Sequence, residues 1–139
     1  MATPNILVRH YMKPATHFFS PSTTVQEVVK DLLRFGISGG PVIDESHQLQ
    51  GYVTEQDCIK QMLNGSYYGE NHTIASDIMR NSPLVISPED DIMQIAEMML
   101  NKKPKQYPVV KNGKVIGVLT RSDVLRALSQ HPQKGNSGK

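Results

Sequence analysis

"GYVTEQD", Gly51–Asp57, and "GVLTRSD", Gly117–Asp123, spell Gly-x-x-Thr-x-x-Asp twice in a chain of 139 residues, each time just before an apolar helical stretch. The likeness extends well upstream. "MKPATHFFSPSTTVQEVVKDLLRFGISGGPVID" (Met12–Asp44) lies over "MRNSPLVISPEDDIMQIAEMMLNKKPKQYPVVK" (Met79–Lys111) without a gap, at a separation of 67 residues. Ser20-Pro21 then meets Ser87-Pro88, Val28 meets Ile95, Leu33 meets Leu100, and Pro41-Val42 meets Pro108-Val109. After a one-residue deletion in the next turn, the two glycine motifs coincide at a separation of 66. A repeat of this extent means that one supersecondary unit is written twice.

Each copy reads as strand, helix, two strands, helix. Val25, Val28, Val29, Leu32 and Leu33 recur at the spacing of one helical face, and Ile92, Ile95, Ala96, Met99 and Leu100 repeat it. Both stripes are expected in a core. Thr24 with Glu27, and Asp91 with Gln94, have the spacing of capping boxes. "PVID" and "LQGYV" in the first copy, and "YPVV" and "VIGVL" in the second, read as strands. Asn112-Gly113 is a two-residue hairpin signal, since both residues tolerate positive φ. The fold class expected is α/β, with two β-α-β-β-α repeats over residues 8–63 and 75–130 packed with pseudo-twofold symmetry. Residues 64–74 form the connection, where Tyr67 and Tyr68 are placed to pack back on the surface, and residues 131–139 a disordered tail. One such unit buries little alone, so the two copies are expected to complete one core as a single inseparable domain.

Composition narrows the function classes. With 38% hydrophobic and 20% charged residues the chain has an ordinary globular balance, and a net charge of +2 gives no basic face for nucleic acid. The single cysteine, Cys58, forms no internal disulfide, and no stretch approaches the roughly 18 consecutive apolar residues of a membrane span. A cytoplasmic protein without membrane attachment is expected. The five histidines, His10, His17, His47, His72 and His131, have no partners at metal-ligand spacing. There is no phosphate-binding G-x-x-x-x-G-K-[ST] loop, and no base accompanies Cys58. Neither a metal site nor an enzyme is expected.

The Thr-x-x-Asp motif has two readings. As a helix cap, the threonine accepts a first-turn amide and the acidic residue reaches back. As a binding site, the same helix start offers free amides and a positive dipole end to a phosphate, the threonine adds a hydroxyl, and the aspartate accepts hydrogen bonds from a diol. One copy alone favours the cap. Two copies keep both readings open.

The doubled layout, with "SGGPVID" leading to "GYVTEQD" and "QYPVVKNGKVIGVLTRSD" in the second half, resembles a tandem pair of CBS (cystathionine-β-synthase) domains, a Bateman module, over about residues 8–130. The resemblance implies two clefts between the repeats for adenosine-containing ligands (AMP, ADP, ATP or S-adenosylmethionine), no required cofactor, and a homodimer that signals to an unknown protein partner. It assigns ribose binding to Asp57 and Asp123, and phosphate or sugar contacts to Thr54 and Thr120; Arg121, Ser122 and Lys105 are added as further phosphate or sugar candidates, with an exposed helix-start position the alternative for Arg121. The cleft headed by Asp123 would draw its adenine pocket from Thr16, Phe18, Ile37, Ser38 and Gly39. That headed by Asp57 would draw on Pro83, Val85, Lys105 and Gln106. Arg121 stands where the first copy has Glu55, and "SGG" stands where the second has "KQY". Both differences point to Asp123 as the tighter site. The rival class is a ligand-free interaction module whose motif residues serve only as caps.

Overall fold

The computed structural model describes residues 5–64, 73–101 and 104–131. Tyr67, Tyr68, His72 and the tail from Pro132 lie outside the described residues, as do the expectations that fall on them. In chain order, a 3₁₀ turn (Val8–His10) precedes β1 (Lys13–Pro14), α1 (Val25–Phe35), β2 (Gly39–Ile43), β3 (Leu49–Thr54) and α2 (Glu55–Leu63). The second half carries α3 (Ala75–Ile78), α4 (Ile92–Met99), β4 (Gln106–Lys111), β5 (Lys114–Thr120) and α5 (Arg121–Gln130).

The helix starts follow their cap chemistry. At Thr24 the capping box is complete: its hydroxyl accepts the Glu27 amide at 3.2 Å, and the Glu27 carboxylate accepts the Thr24 amide. Gly36 closes α1 in the left-handed conformation (φ 63°), which glycine adopts without a Cβ penalty. At α4 the box is not formed. The Asp91 carboxylate accepts the Met93 amide at 3.1 Å, one residue earlier than the sequence spacing predicts, so Asp91 caps alone. Asn112 (φ 54°) and Gly113 (φ 80°) form the two-residue turn between β4 and β5 as expected.

The apolar stripes are buried except at one edge. Val25, Val28, Leu32, Ile92 and Ile95 are core residues, whereas Leu33 and Leu100 are 76% and 84% exposed. At 100° per residue Leu33 stands about 80° around the helix from Val25, at the rim of the stripe rather than its centre. Leu100 repeats that position. The expectation that both leucines are core is thereby corrected.

The chain divides into two compact units, and the division does not follow the two sequence copies. One unit holds residues up to Pro14 with Leu84–Lys111 and the chain from Ile116; the other holds Ala15–Pro83 and Asn112–Val115. Each takes the body of one copy and the leading segment of the other. In the first, Leu7 bridges Asp91, and β1 pairs antiparallel with β5, which also pairs with β4. In the second, Ile74 bridges Thr24, Arg80 bridges Tyr52, and β2 pairs with β3. These bridges correspond: Leu7 and Ile74, like Asp91 and Thr24, are 67 residues apart, as are Lys13 and Arg80. The entry strands expected before each helix shrink to single parallel bridges, Phe19 to Val42 and Ile86 to Val109.

Where the sequence predicts one shared core, the buried apolar residues group into two clusters. Val8, Ile86, Ile92, Tyr107, Val109 and Leu119 centre the first unit, and Phe19, Val28, Val42, Val53 and Cys58 the second. Val8 and Ala75, which complete these clusters, come from the leading segments. The exchange of segments is therefore part of the packing, and hydrophobic burial couples the two copies along the chain.

Candidate functional site

The motif glycines have a steric role. A Cβ on Gly51 would lie 2.7 Å from the Arg80 carbonyl oxygen, and one on Gly117 would lie 2.7 Å from that of Lys13. Only glycine lets the leading segment run this close to β3 or β5. Each glycine thus brings a cation, Arg80 or Lys13, to the start of the helix that follows.

At both helix starts the cap is formed in full. The Asp57 Oδ2 accepts the Thr54 amide and hydroxyl, each at 2.9 Å, while the Thr54 hydroxyl accepts the Asp57 amide at 3.3 Å. The Asp123 Oδ2 accepts the Thr120 amide at 2.9 Å and hydroxyl at 3.0 Å, with the Asp123 amide returned to Thr120 at 3.4 Å. The cap reading and the binding reading therefore share one oxygen and diverge at the other.

The two Oδ1 atoms differ. Asp123 Oδ1 accepts from the Lys13 ammonium and from the Arg126 guanidinium at 3.3 Å, and its side chain is 0% exposed. Among the described residues Asp57 Oδ1 faces only the Arg80 guanidinium, an ion pair at 3.4 Å, and its side chain is 14% exposed. Lys60, the counterpart of Arg126, makes no ion pair with Asp57 among the described residues. Burial pushes the Asp123 carboxyl upward, but the hydrogen bonds from Lys13 and Thr120 and the Lys13 charge outweigh it and hold its pKa below the ordinary value. Sequence reading missed Lys13, Arg80 and Arg126. The signal was present for two of them, because Lys13 and Arg80 each follow a methionine at the same place in the repeat and carry the same charge.

The remaining site residues divide between the units. Thr16, Phe18, Ile37, Ser38, Gly39 and Pro83 are in the unit of Asp57, and Val85, Lys105, Gln106, Arg121 and Ser122 are in that of Asp123. Ser38 stands at the start of α2, its carbonyl accepting the Glu55 amide at 2.9 Å; Lys105 repeats this with the Arg121 amide at 3.1 Å. Arg121 and Ser122 are exposed on the first turn of α5. Phe18 is half-exposed, edge-on to His47. The smallness of Gly39 and Gly40 does not leave open room in their own unit. A Cβ on Gly39 would meet the Val53 carbonyl at 2.7 Å, and one on Gly40 would meet the Phe19 ring at 3.1 Å. A shallow depression bounded by Phe18, Phe19, Asp44 and His47 includes none of the motif residues.

Cys58 is buried, and burial, with the charges of Asp57 and Glu55, pushes its thiol up to about 11. At neutral pH it is a protonated core group. Among the described residues no cluster of three or more metal-ligating side chains occurs, and no helix is long and apolar enough to cross a membrane.

The CBS domain profile matches residues 8–64 and again residues 75–130. The chain belongs to the CBS-domain family. It is a tandem CBS pair, a Bateman module of two pseudo-symmetric β-α-β-β-α repeats, and CBS domains are regulatory modules without catalysis of their own. The crystal structure of CBSX2 in complex with AMP, a CBS-pair protein of Arabidopsis thaliana, superposes with a TM-score of 0.79 at 32% identity, covering 91% of this chain and 98% of that one. The CBS domain pair of protein MJ0100 in complex with 5'-methylthioadenosine and S-adenosyl-L-methionine has a TM-score of 0.80 at 21% identity, covering 91% and 98%, and speaks to the fold. Chloroplastic CBSX1 of Arabidopsis thaliana is 29% identical over 89% of this chain and 64% of its own length. The chain spans about half to two thirds of the curated relatives it matches first.

Proposed function

We propose that this CBS pair is a regulatory module that binds an adenosine-containing ligand, with AMP the leading candidate, through the two Thr-x-x-Asp helix starts. The observation that carries the reading is the repeated cap in which Oδ2 of each aspartate is fixed to the backbone while Oδ1 faces cationic side chains, Arg80 at Asp57 and Lys13 with Arg126 at Asp123. A carboxylate fixed through one oxygen is held in position to receive a ribose diol through the other. The positive dipole ends of α2 and α5, with Thr54 at the first and Thr120, Arg121, Ser122 and Lys105 at the second, are proposed for phosphate. Support comes also from the AMP complex of the 32%-identical CBSX2. Thr16, Phe18, Ile37, Ser38, Gly39, Pro83, Val85 and Gln106 are proposed for the adenine. The ligand acts by preferring one arrangement of the module over another, which a protein partner reads.

We further propose a homodimer. Leu33 with Leu100, and Ile59 with Leu125, are repeat-related and more than half exposed, so both units present apolar helix surface. The same surface favours the second reading, a ligand-free interaction module, because every motif threonine and aspartate is already used in a cap.

A thermal-shift panel of AMP, ADP, ATP and S-adenosylmethionine, with GTP as control, separates the two. A ligand at about 100 times its Kd stabilises the fold by about 2.7 kcal/mol, several degrees in Tm. An adenine-specific shift is expected. No shift with any adenine compound would leave the interaction module as the function.

A further inference from the structure

The two motif aspartates are not equivalent acceptors. An ionised carboxylate offers about four lone-pair positions, two on each oxygen. At Asp123 all are engaged: Thr120 donates twice to Oδ2, and Lys13 and Arg126 each donate to Oδ1. At Asp57 the two Thr54 donors engage Oδ2, while Oδ1 has only the 3.4 Å ion pair with Arg80 and no hydrogen bond among the described residues. A ribose hydroxyl can reach Asp57 without displacing a donor. At Asp123 a donor must leave.

Three of the four donors at Asp123 are tied down. The Thr120 amide and hydroxyl belong to the cap of α5 and release only if the helix start opens. Arg126 also donates to the Tyr11 carbonyl at 3.1 Å and lies 5.6 Å over the Tyr11 ring. Lys13 makes no second side-chain hydrogen bond among the described residues, and its side chain is 59% exposed. It is the donor free to swing out on its four-carbon stem.

We propose that Lys13 is a displaceable counter-ion gate on Asp123, so that the Asp123 site fills after the Asp57 site and selects phosphorylated adenosine over the unphosphorylated nucleoside. This rests on the ribose-binding reading of the motif. When a ribose hydroxyl takes the place of Lys13 on the Asp123 Oδ1, the released ammonium loses its anion, and a phosphate on the same ligand supplies another. Adenosine leaves that charge unpaired. Arg80 imposes no such exchange at Asp57, so the site there accepts both. The order is the reverse of the one that Arg121 and the small residues at 38–40 suggest from sequence.

Calorimetric titration of AMP and of adenosine into the wild type, Lys13→Gln and Lys13→Arg tests the gate. Glutamine keeps a donor for Asp123 and removes the charge; arginine keeps both. For the wild type, AMP is expected to fill two sites, and adenosine to fill the first comparably but the second at least about tenfold more weakly than AMP does. Lys13→Gln is expected to bring the second-site affinities of AMP and adenosine together, and Lys13→Arg to preserve their difference. Equal second-site affinities in the wild type, or a preference for AMP unchanged in Lys13→Gln, would overturn the gate while leaving the ribose reading intact. No binding of either ligand to the wild type would overturn the ribose reading, and the gate with it.

Discussion

The start of α5 and the start of α2 are built from one pattern and differ in how much of it is free. At α5 a buried aspartate receives four donors and two cations; at α2 a slightly exposed aspartate receives two donors and one cation. The difference traces to residue 126 against residue 60, arginine in one copy and lysine in the other, and to Lys13 against Arg80. Duplication supplies two matching caps. Divergence of the cations leaves the Asp123 carboxylate fully engaged and the Asp57 carboxylate, among the described residues, with acceptor capacity to spare.

The largest expected contrast is in stability. Asp123→Ala removes the acceptor of four donors at a buried helix start and is expected to cost about 2–4 kcal/mol, against about 1–2 kcal/mol for Asp57→Ala, by urea denaturation. Equal costs would mean that the additional cations contribute nothing. Next, Gly51→Ala and Gly117→Ala should each cost about 1–3 kcal/mol, because each added Cβ meets a backbone carbonyl that cannot give way cheaply. Unequal losses here would break the equivalence of the two leading segments.

Acid separates the units further. Because the folded Asp123 pKa lies below its ordinary value of 3.8, its contribution is complete above that value and is lost as pH falls through the folded pKa. Urea midpoints measured from pH 5 down to pH 2 should therefore fall less steeply in Asp123→Asn than in the wild type. A smaller effect is expected at the helix caps. Thr24→Ala, which breaks a two-way box, should cost about 1 kcal/mol, and Asp91→Ala, which removes a one-way cap, less. Smallest is Tyr107→Phe. The Tyr107 hydroxyl is buried with no hydrogen-bond partner among the described residues, so its removal should leave Tm unchanged or slightly higher.

Much of this was legible in the sequence. The gap-free repeat gave the two helices, the Asn112-Gly113 hairpin and the Thr24 box, because apolar period, turn chemistry and cap spacing are local properties. The exchange of leading segments was not legible. Met12-Lys13 reads as the start of the first copy, and only its tertiary pairing with β5, closed by the steric fit of Gly117 against Lys13, assigns it to the second. The site was legible to the same depth. Thr54, Asp57, Thr120 and Asp123 stand out through their spacing, whereas Lys13 reaches Asp123 across 110 residues of chain, a distance that no local pattern spans. Leu33 and Leu100 satisfy the helical period yet sit at its rim, where period alone does not separate core from surface.

The inequality of the two aspartates is tested most directly by calorimetric titration of AMP into the wild type, Asp57→Asn and Asp123→Asn. The tighter binding step should disappear in Asp57→Asn and persist in Asp123→Asn. Persistence in Asp57→Asn with loss in Asp123→Asn would contradict it.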